Sequence, residues 1–122
     1  MFTSPLAALP HVRTGKLRVL GIASIKRAEA TPEIMTIAEA GVPGFEAPLW
    51  YATLGPAGVP DGPVAKLNGS LKTVLAMRDV RERFSSNGVE AAYSSPGDLA
   101  AHIGREIEKW RKVISASGIR PD

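Results

Sequence analysis

The chain has 122 residues, 44% of them apolar and 22% charged, with 15 basic against 12 acidic side chains and a net charge of +3. That length suits one domain near the commonest domain size and is too short for two ordinary ones. A mean hydropathy of +0.00 and apolar runs as short as Val19 to Ala23 describe a globular chain with a core, far from the roughly 18 apolar residues of a membrane helix.

The basic side chains do not gather into a nucleic-acid arm. Arg13, Lys16 and Arg18, and again Arg105, Lys109, Arg111 and Lys112, are interleaved with apolar or acidic residues, the pattern of a solvated face, so no nucleic-acid partner is expected. With no cysteine there is no disulfide framework, thiolate zinc site or cysteine nucleophile.

In chain order, Pro5 to Gly15 predicts a short helix with Ser4 as N-cap, Pro5 at the tolerated first position and Gly15 as its stop. Pro10 in its second turn keeps it short or kinked. Lys16 to Ser24, KLRVLGIAS, predicts a strand buried on both faces. Thr31-Pro32-Glu33 and Thr36 to Gly41 are capping patterns for brief helical turns, the second ended by a glycine suited to the left-handed region. Phe45 to Leu54 predicts a long extended segment interrupted at Pro48, and Gly55 to Pro60 reads as a linker.

The second half is predicted helical. Asp61-Gly62-Pro63 provides a cap, and Val64, Leu67, Leu71, Val74 and Leu75 form an apolar stripe running to Met77. Asp79 is expected to cap a further helix through Val80 and Phe84 to Ser86, stopped by Asn87-Gly88. Val89 to Tyr93 is a short strand candidate. Ser95-Pro96-Gly97-Asp98 resembles a capping box, opening a helix with Leu99, Ile103, Ile107, Trp110 and Ile114 on one face and Gly118 at its end. The class is α/β with an incomplete sheet. Three strands are few for it, which implies that part of the sheet is missing or comes from another chain.

Catalytic motifs are absent: there is no GxGxxG, GxxxxGK[ST], HExxH or GxSxG. His11 and His102 lie in different predicted helices without a carboxylate at convincing metal-ligand spacing, so neither a metal nor a cofactor is expected. Glu106, four residues after His102, allows a local contact of structural or solvent character. Trp110 reads as core packing. Trp50 and Tyr51 are adjacent in an extended segment and so point to opposite faces, one toward a core and one toward a cleft or solvent; packing at a domain crossing is the plainer role and ligand contact the sharper one. Thr3 and Ser4, at the entry to the first helix, offer hydroxyls and backbone N–H groups to an anion, with simple N-capping as the competing role.

Four segments in order carry a resemblance: GKLRVL (Gly15 to Leu20), AEAGVPGFE (Ala38 to Glu46), WYATLGPAGVP (Trp50 to Pro60) and EKWRKVI (Glu108 to Ile114). From Met1 to about Ile119 the chain resembles the C-terminal part of the Bug receptors, the extracytoplasmic substrate-binding proteins associated with tripartite tricarboxylate transporters. The resemblance implies an α/β fragment of a two-lobed periplasmic-binding-protein fold, with a crossing strand and C-terminal helices. It implies residues 1–48 as the C-terminal piece of the second lobe, 49–60 as the interlobe crossing and linker, and 61–122 as the C-terminal piece of the first lobe. The implied function is non-enzymatic: capture of a small carboxylate for uptake, in partnership with membrane transporter subunits. Candidate ligand-binding residues are Thr3, Ser4, Trp50 and Tyr51, and no catalytic or metal residues are expected. The resemblance implies a periplasmic location, whereas Met1-Phe2-Thr3-Ser4-Pro5 shows no secretory signal, so the chain as written is expected in the cytoplasm.

A site between two lobes loses most of its contacts when one wall is missing, so weak or absent carboxylate binding is expected of the chain alone. Uncovered sheet edges predict self-association, as in a homodimer exchanging elements across the crossing segment. The alternative reading is a non-transport α/β interaction module or homo-oligomer with no small-molecule site.

Overall fold

A computed structural model of the protein describes residues 1–28 and 31–119; the last three positions of the piece expected over 61–122 lie outside the described residues. Regular structure consists of α1 (Pro5–Arg13), α2 (Asp61–Ala76), α3 (Arg78–Ser86) and α4 (Pro96–Ser117).

Helix α1 begins as its sequence predicts. Ser4 is the N-cap, its Oγ accepting from the Ala7 N–H at 3.3 Å, and Pro5 opens the helix. Pro10 lies inside it, where its ring removes one intrahelical N–H, and the helix ends after nine residues. Thr14 Oγ1 donates to the Pro10 carbonyl, and Gly15 turns the chain away at φ +71.

The strands predicted over Lys16 to Ser24, Phe45 to Leu54 and Val89 to Tyr93 form no ladder among the described residues. A strand exists only through its neighbours, and one parallel bridge, Ile22 with Thr36, is the pairing present there. Ile22 N–H donates to Met35 O at 3.0 Å and Ile22 O accepts from Ile37 N–H at 2.9 Å. Ala47 N–H reaches Ala23 O at 2.8 Å, drawing the start of the extended segment alongside. Gly21 permits this approach, because a Cβ there would lie 3.3 Å from Ile37 Cγ1.

Thr36 is 1% exposed and is the buried residue of the described chain. It forms a reciprocal cap with Glu39: Thr36 N–H donates to Glu39 Oε2 at 2.8 Å, and Glu39 N–H donates to Thr36 Oγ1 at 3.1 Å. Gly41, at φ +118, ends the turn. Arg27 completes the network through Nε to Glu39 Oε2 at 2.9 Å and Nη1 to Pro32 O at 3.1 Å. The Thr36 N–H, and then Arg27, hold the Glu39 carboxyl below its ordinary range.

Two predicted caps are corrected. Pro60, not Asp61, is the N-cap of α2 and makes no side-chain cap bond; Asp61 instead occupies the first turn, where the helix dipole favours its charge. Met77, extended at φ −66 and ψ 137, joins α2 directly to α3, so Asp79 falls inside the first turn and caps nothing. The end of α3 is as expected, with Asn87 as C-cap and Gly88 at φ +71.

Helix α4 carries the predicted capping box. Asp98 N–H donates to Ser95 Oγ at 3.1 Å, and the Asp98 carboxylate accepts from Ser95 N–H and Oγ–H. These bonds, led by the hydroxyl, lower the Asp98 pKa. Gly118 closes the helix in the left-handed region. The periodic stripes are present but uncovered: Leu67, Val74, Ile107, Trp110 and Ile114 are exposed, and among the described residues no apolar side chain is fully buried. The accessible surface is 9739 Å², whereas a folded monomer of this mass exposes about 6,300 Å².

Glu39 has a lowered folded pKa, so the stability its carboxylate contributes is present above the ordinary value of 4.5 and is lost as pH falls through the folded pKa. Glu39→Gln, followed by circular dichroism across an acid titration, is expected to be less stable than the parent near neutrality, with the gap closing in acid. Ser95→Ala is expected to cost about 1 kcal/mol, read as earlier urea unfolding of helical signal.

Candidate functional site

The four candidate ligand-binding residues sit on two segments that meet near the start of α1. Phe2 stacks on Phe45, ring centroids 6.2 Å apart and 20° from parallel, which places the Thr3-Ser4 entry beside the beginning of the extended segment. Thr3 is exposed and Ser4 half-buried. Ser4 Oγ accepts from Ala7 N–H, so the capping role is filled while its own O–H remains a donor.

Trp50 and Tyr51 diverge, as neighbours in an extended segment must. Trp50 packs edge-on against His102 of α4, centroids 4.9 Å apart at 75°. Tyr51 instead joins Leu6, Arg83, Phe84, Asn87 and Val89 around an open, mostly apolar cleft of about 380 Å³. Tyr51 therefore shares a cleft with α1, and Trp50 ties the segment to α4. Thr3, Ser4 and Trp50 are not among the cleft-lining residues.

Arg83 and Asn87 of this cleft carry no distinguishing signal in the sequence. On a helix written RDVRERFSS, Arg83 is one of several surface charges, and Asn87 reads as a stop. Their place is set by docking of α1 on the end of α3: Arg13 Nη2 donates to Ser86 O at 3.1 Å, and Gly88 lies so close that a Cβ there would sit 2.7 Å from Pro5 Cβ and 2.8 Å from Leu9 Cδ1. Asn68 is a further residue that sequence reasoning missed. It donates through Nδ2 to Ser94 O at 3.0 Å and accepts from Tyr93 Oη at 2.7 Å, holding the 89–95 connection on α2.

The His102–Glu106 pair allowed by spacing makes no hydrogen bond among the described residues, though His102 is the last of the groups that lower the Glu106 pKa. Glu106 pairs with Lys109 and accepts from Trp110 Nε1 at 3.0 Å, and Lys109 foremost lowers its pKa. His102 faces Trp50. Among the described residues no three His, Asp or Glu side chains gather as a metal site.

The backbone course matches solved solute-binding proteins. The R. palustris protein Rpa4515 with adipate superimposes at a TM-score of 0.87 with 33% identity, over 96% of this chain and 39% of that one. MatC from Rhodopseudomonas palustris with bound malate gives 0.78 at 34% identity, over 90% and 38%. The periplasmic binding protein BugD gives 0.82 at 27%, over 94% and 39%. These define the class: an α/β portion of a periplasmic-binding-protein fold. The Tripartite tricarboxylate transporter family receptor pattern matches residues 1–119, and the chain belongs to that family. It is similar to protein BugT of Bordetella pertussis, 32% identical over 114 residues, covering 93% of this chain and 35% of BugT. The chain spans about a third of the length of BugT and of most of the other curated relatives it matches. The family's description is that of a transporter's receptor, which points away from an enzyme.

Gly88→Ala tests the docking that shapes the cleft. The left-handed φ alone costs about 1 kcal/mol for a residue with a Cβ, and the added carbon meets Pro5 and Leu9. Hydrogen exchange across Pro5 to Arg13 is expected to accelerate, while Pro96 to Ser117 stays unchanged.

Proposed function

We propose that the chain is part of the substrate-binding receptor of a tripartite tricarboxylate-type transporter and serves to capture a small dicarboxylate for uptake. The observation that carries this reading is the likeness, over nearly the whole chain, to two solved proteins holding adipate and malate, both short dicarboxylates. The start of α1 supports it: Thr3 and the Ser4 O–H lie beside the N–H of Leu6, the first-turn donor that Ser4 does not take up, since Pro5 has none and Ala7 and Ala8 donate to Ser4, at the helix end that favours a carboxylate. Trp50 and Tyr51 are the further ligand contacts, carried on the crossing at residues 49–60 between a second-lobe piece at 1–48 and a first-lobe piece at 61–122. The periplasm is the working compartment, and the membrane subunits of the transporter are the partners that receive the ligand.

A carboxylate loses its hydration on entering a closed cleft and needs several donors in return. The described residues provide one wall of such a site, so the chain alone binds weakly. The competing reading, an α/β interaction module, draws on the large uncovered apolar surface. Nuclear magnetic resonance separates the two. Titration with adipate or malate is expected to give saturable shifts at Thr3, Ser4, Trp50 and Tyr51 with Kd on the order of 1 mM or weaker, and a neutral sugar none. Dicarboxylate-specific shifts that fall elsewhere and spare these four residues would overturn this placing of the site, and equal shifts with the neutral sugar would overturn the carboxylate reading. Tight binding in calorimetry would overturn the one-wall account.

A further inference from the structure

We infer that the seat of α1 on the end of α3 is a latch between the two lobe pieces, holding residues 1–48 against residues 61–122 about a hinge at Pro48 and Leu49. The latch rests on the two-lobe reading above and adds to it the contact that keeps the pieces together.

The hinge follows from what is fastened on either side of it. Ala47 N–H is tied to Ala23 O in the first piece, and the Trp50 ring packs on His102 of α4 in the second. Between these anchors stand Pro48 and Leu49, and among the described residues neither has a backbone hydrogen-bond partner. Hinges are a few loop residues of this kind, which absorb the change in backbone angle.

The latch joins residues that the chain itself keeps far apart. Arg13 Nη2 donates to Ser86 O, 73 positions away, at 3.1 Å. Ser86 O is among the last carbonyls of α3, which have no partner inside the helix and lie at the end where its dipole favours a cation. Beside it, Gly88 receives Pro5 and Leu9, one turn apart on α1, so closely that a Cβ on Gly88 would lie 2.7 Å from Pro5 Cβ and 2.8 Å from Leu9 Cδ1. Pro5 follows Ser4 directly, so the latch sets where the Thr3-Ser4 entry stands relative to the second piece.

One exposed hydrogen bond and close packing on a single glycine make a contact weak enough to open and close. Both pieces together follow the solved protein with adipate at a TM-score of 0.87 over 96% of this chain, which supports the latched arrangement as the closed one. A ligand held across the two pieces favours the latched population, and the latch raises the affinity for that ligand by the same factor.

Because the chain has no cysteine, pairs of introduced cysteines carry nitroxide labels whose separation is read by electron–electron resonance without any ligand. Ala7→Cys with Arg81→Cys reads across the latch, and Ala7→Cys with Val42→Cys reads within the first piece; all three positions are exposed. Each pair is expected to give one narrow distance in the otherwise unchanged chain. Gly88→Asn tolerates the left-handed φ but adds the Cβ that has no room, and is expected to lengthen and broaden the distance across the latch while the distance within the first piece stays narrow. Gly118→Asn is the matched control, at φ +66 with nothing within 4 Å of its Cβ position, and is expected to change neither distance. A distance across the latch that Gly88→Asn leaves unchanged, that Gly118→Asn broadens equally, or that is already broad without either substitution overturns the latch. Broadening of both pairs by Gly88→Asn overturns the two-lobe reading as well, because the first piece then does not move as one body.

Discussion

Around Ile22 and Thr36 the N-terminal half is fastened by hydrogen bonds and not by apolar packing. The Ile22 backbone holds Met35 and Ile37. Thr36, between them, is the residue removed from solvent, and its backbone N–H is satisfied by Glu39, which Arg27 holds in turn. Burying that N–H without the Glu39 carboxylate would leave an unpaired donor, a penalty of about 1–3 kcal/mol. The same network directs the chain beyond Gly41. Ala47 attaches beside Ala23, Phe45 stacks on Phe2, and the extended segment is thereby aimed past α1 toward α3 and α4. The positions of Thr3, Ser4, Trp50 and Tyr51 derive from this one fastening.

The C-terminal half is held in a different way. Its helices begin and end through local devices: the Ser95–Asp98 box, the glycines at 88 and 118, and the one-residue joint at Met77. Contacts between elements are few and specific: the Arg13 bond to Ser86, the Asn68 bridge to Ser94 and Tyr93, and Trp50 against His102. Such contacts orient helices but bury little area, and burial is the dominant favourable term in folding. A chain that tracks the course of much longer receptors at a TM-score of 0.87 while exposing its helical stripes is shaped for more covering than its described residues supply.

The capping signals were legible because each is a contract between residues three or four apart. Ser4, Thr36 with Glu39, and Ser95 with Asp98 all cap where the spacing predicted. The caps expected at Asp61 and Asp79 failed for a local reason. Pro60 and Met77 adopt the extended flanking conformation first, and each helix starts too early for the aspartate to serve. Strand patterning was legible as composition only. KLRVLGIAS announces backbone suited to burial on both faces, but pairing needs a neighbour, and one bridge at Ile22 is what the described residues provide.

By itself the sequence determined the helices, their stops, the divergence of Trp50 and Tyr51, and the family, because each rests on short-range chemistry or on ordered local segments. Tertiary structure alone decided that Arg83, Asn87 and Tyr51 share a cleft, that His102 packs against Trp50, and that Gly88 is the seat of α1. These contacts join residues far apart in the chain, where no local periodicity specifies a partner and only the approach of whole elements brings the side chains together.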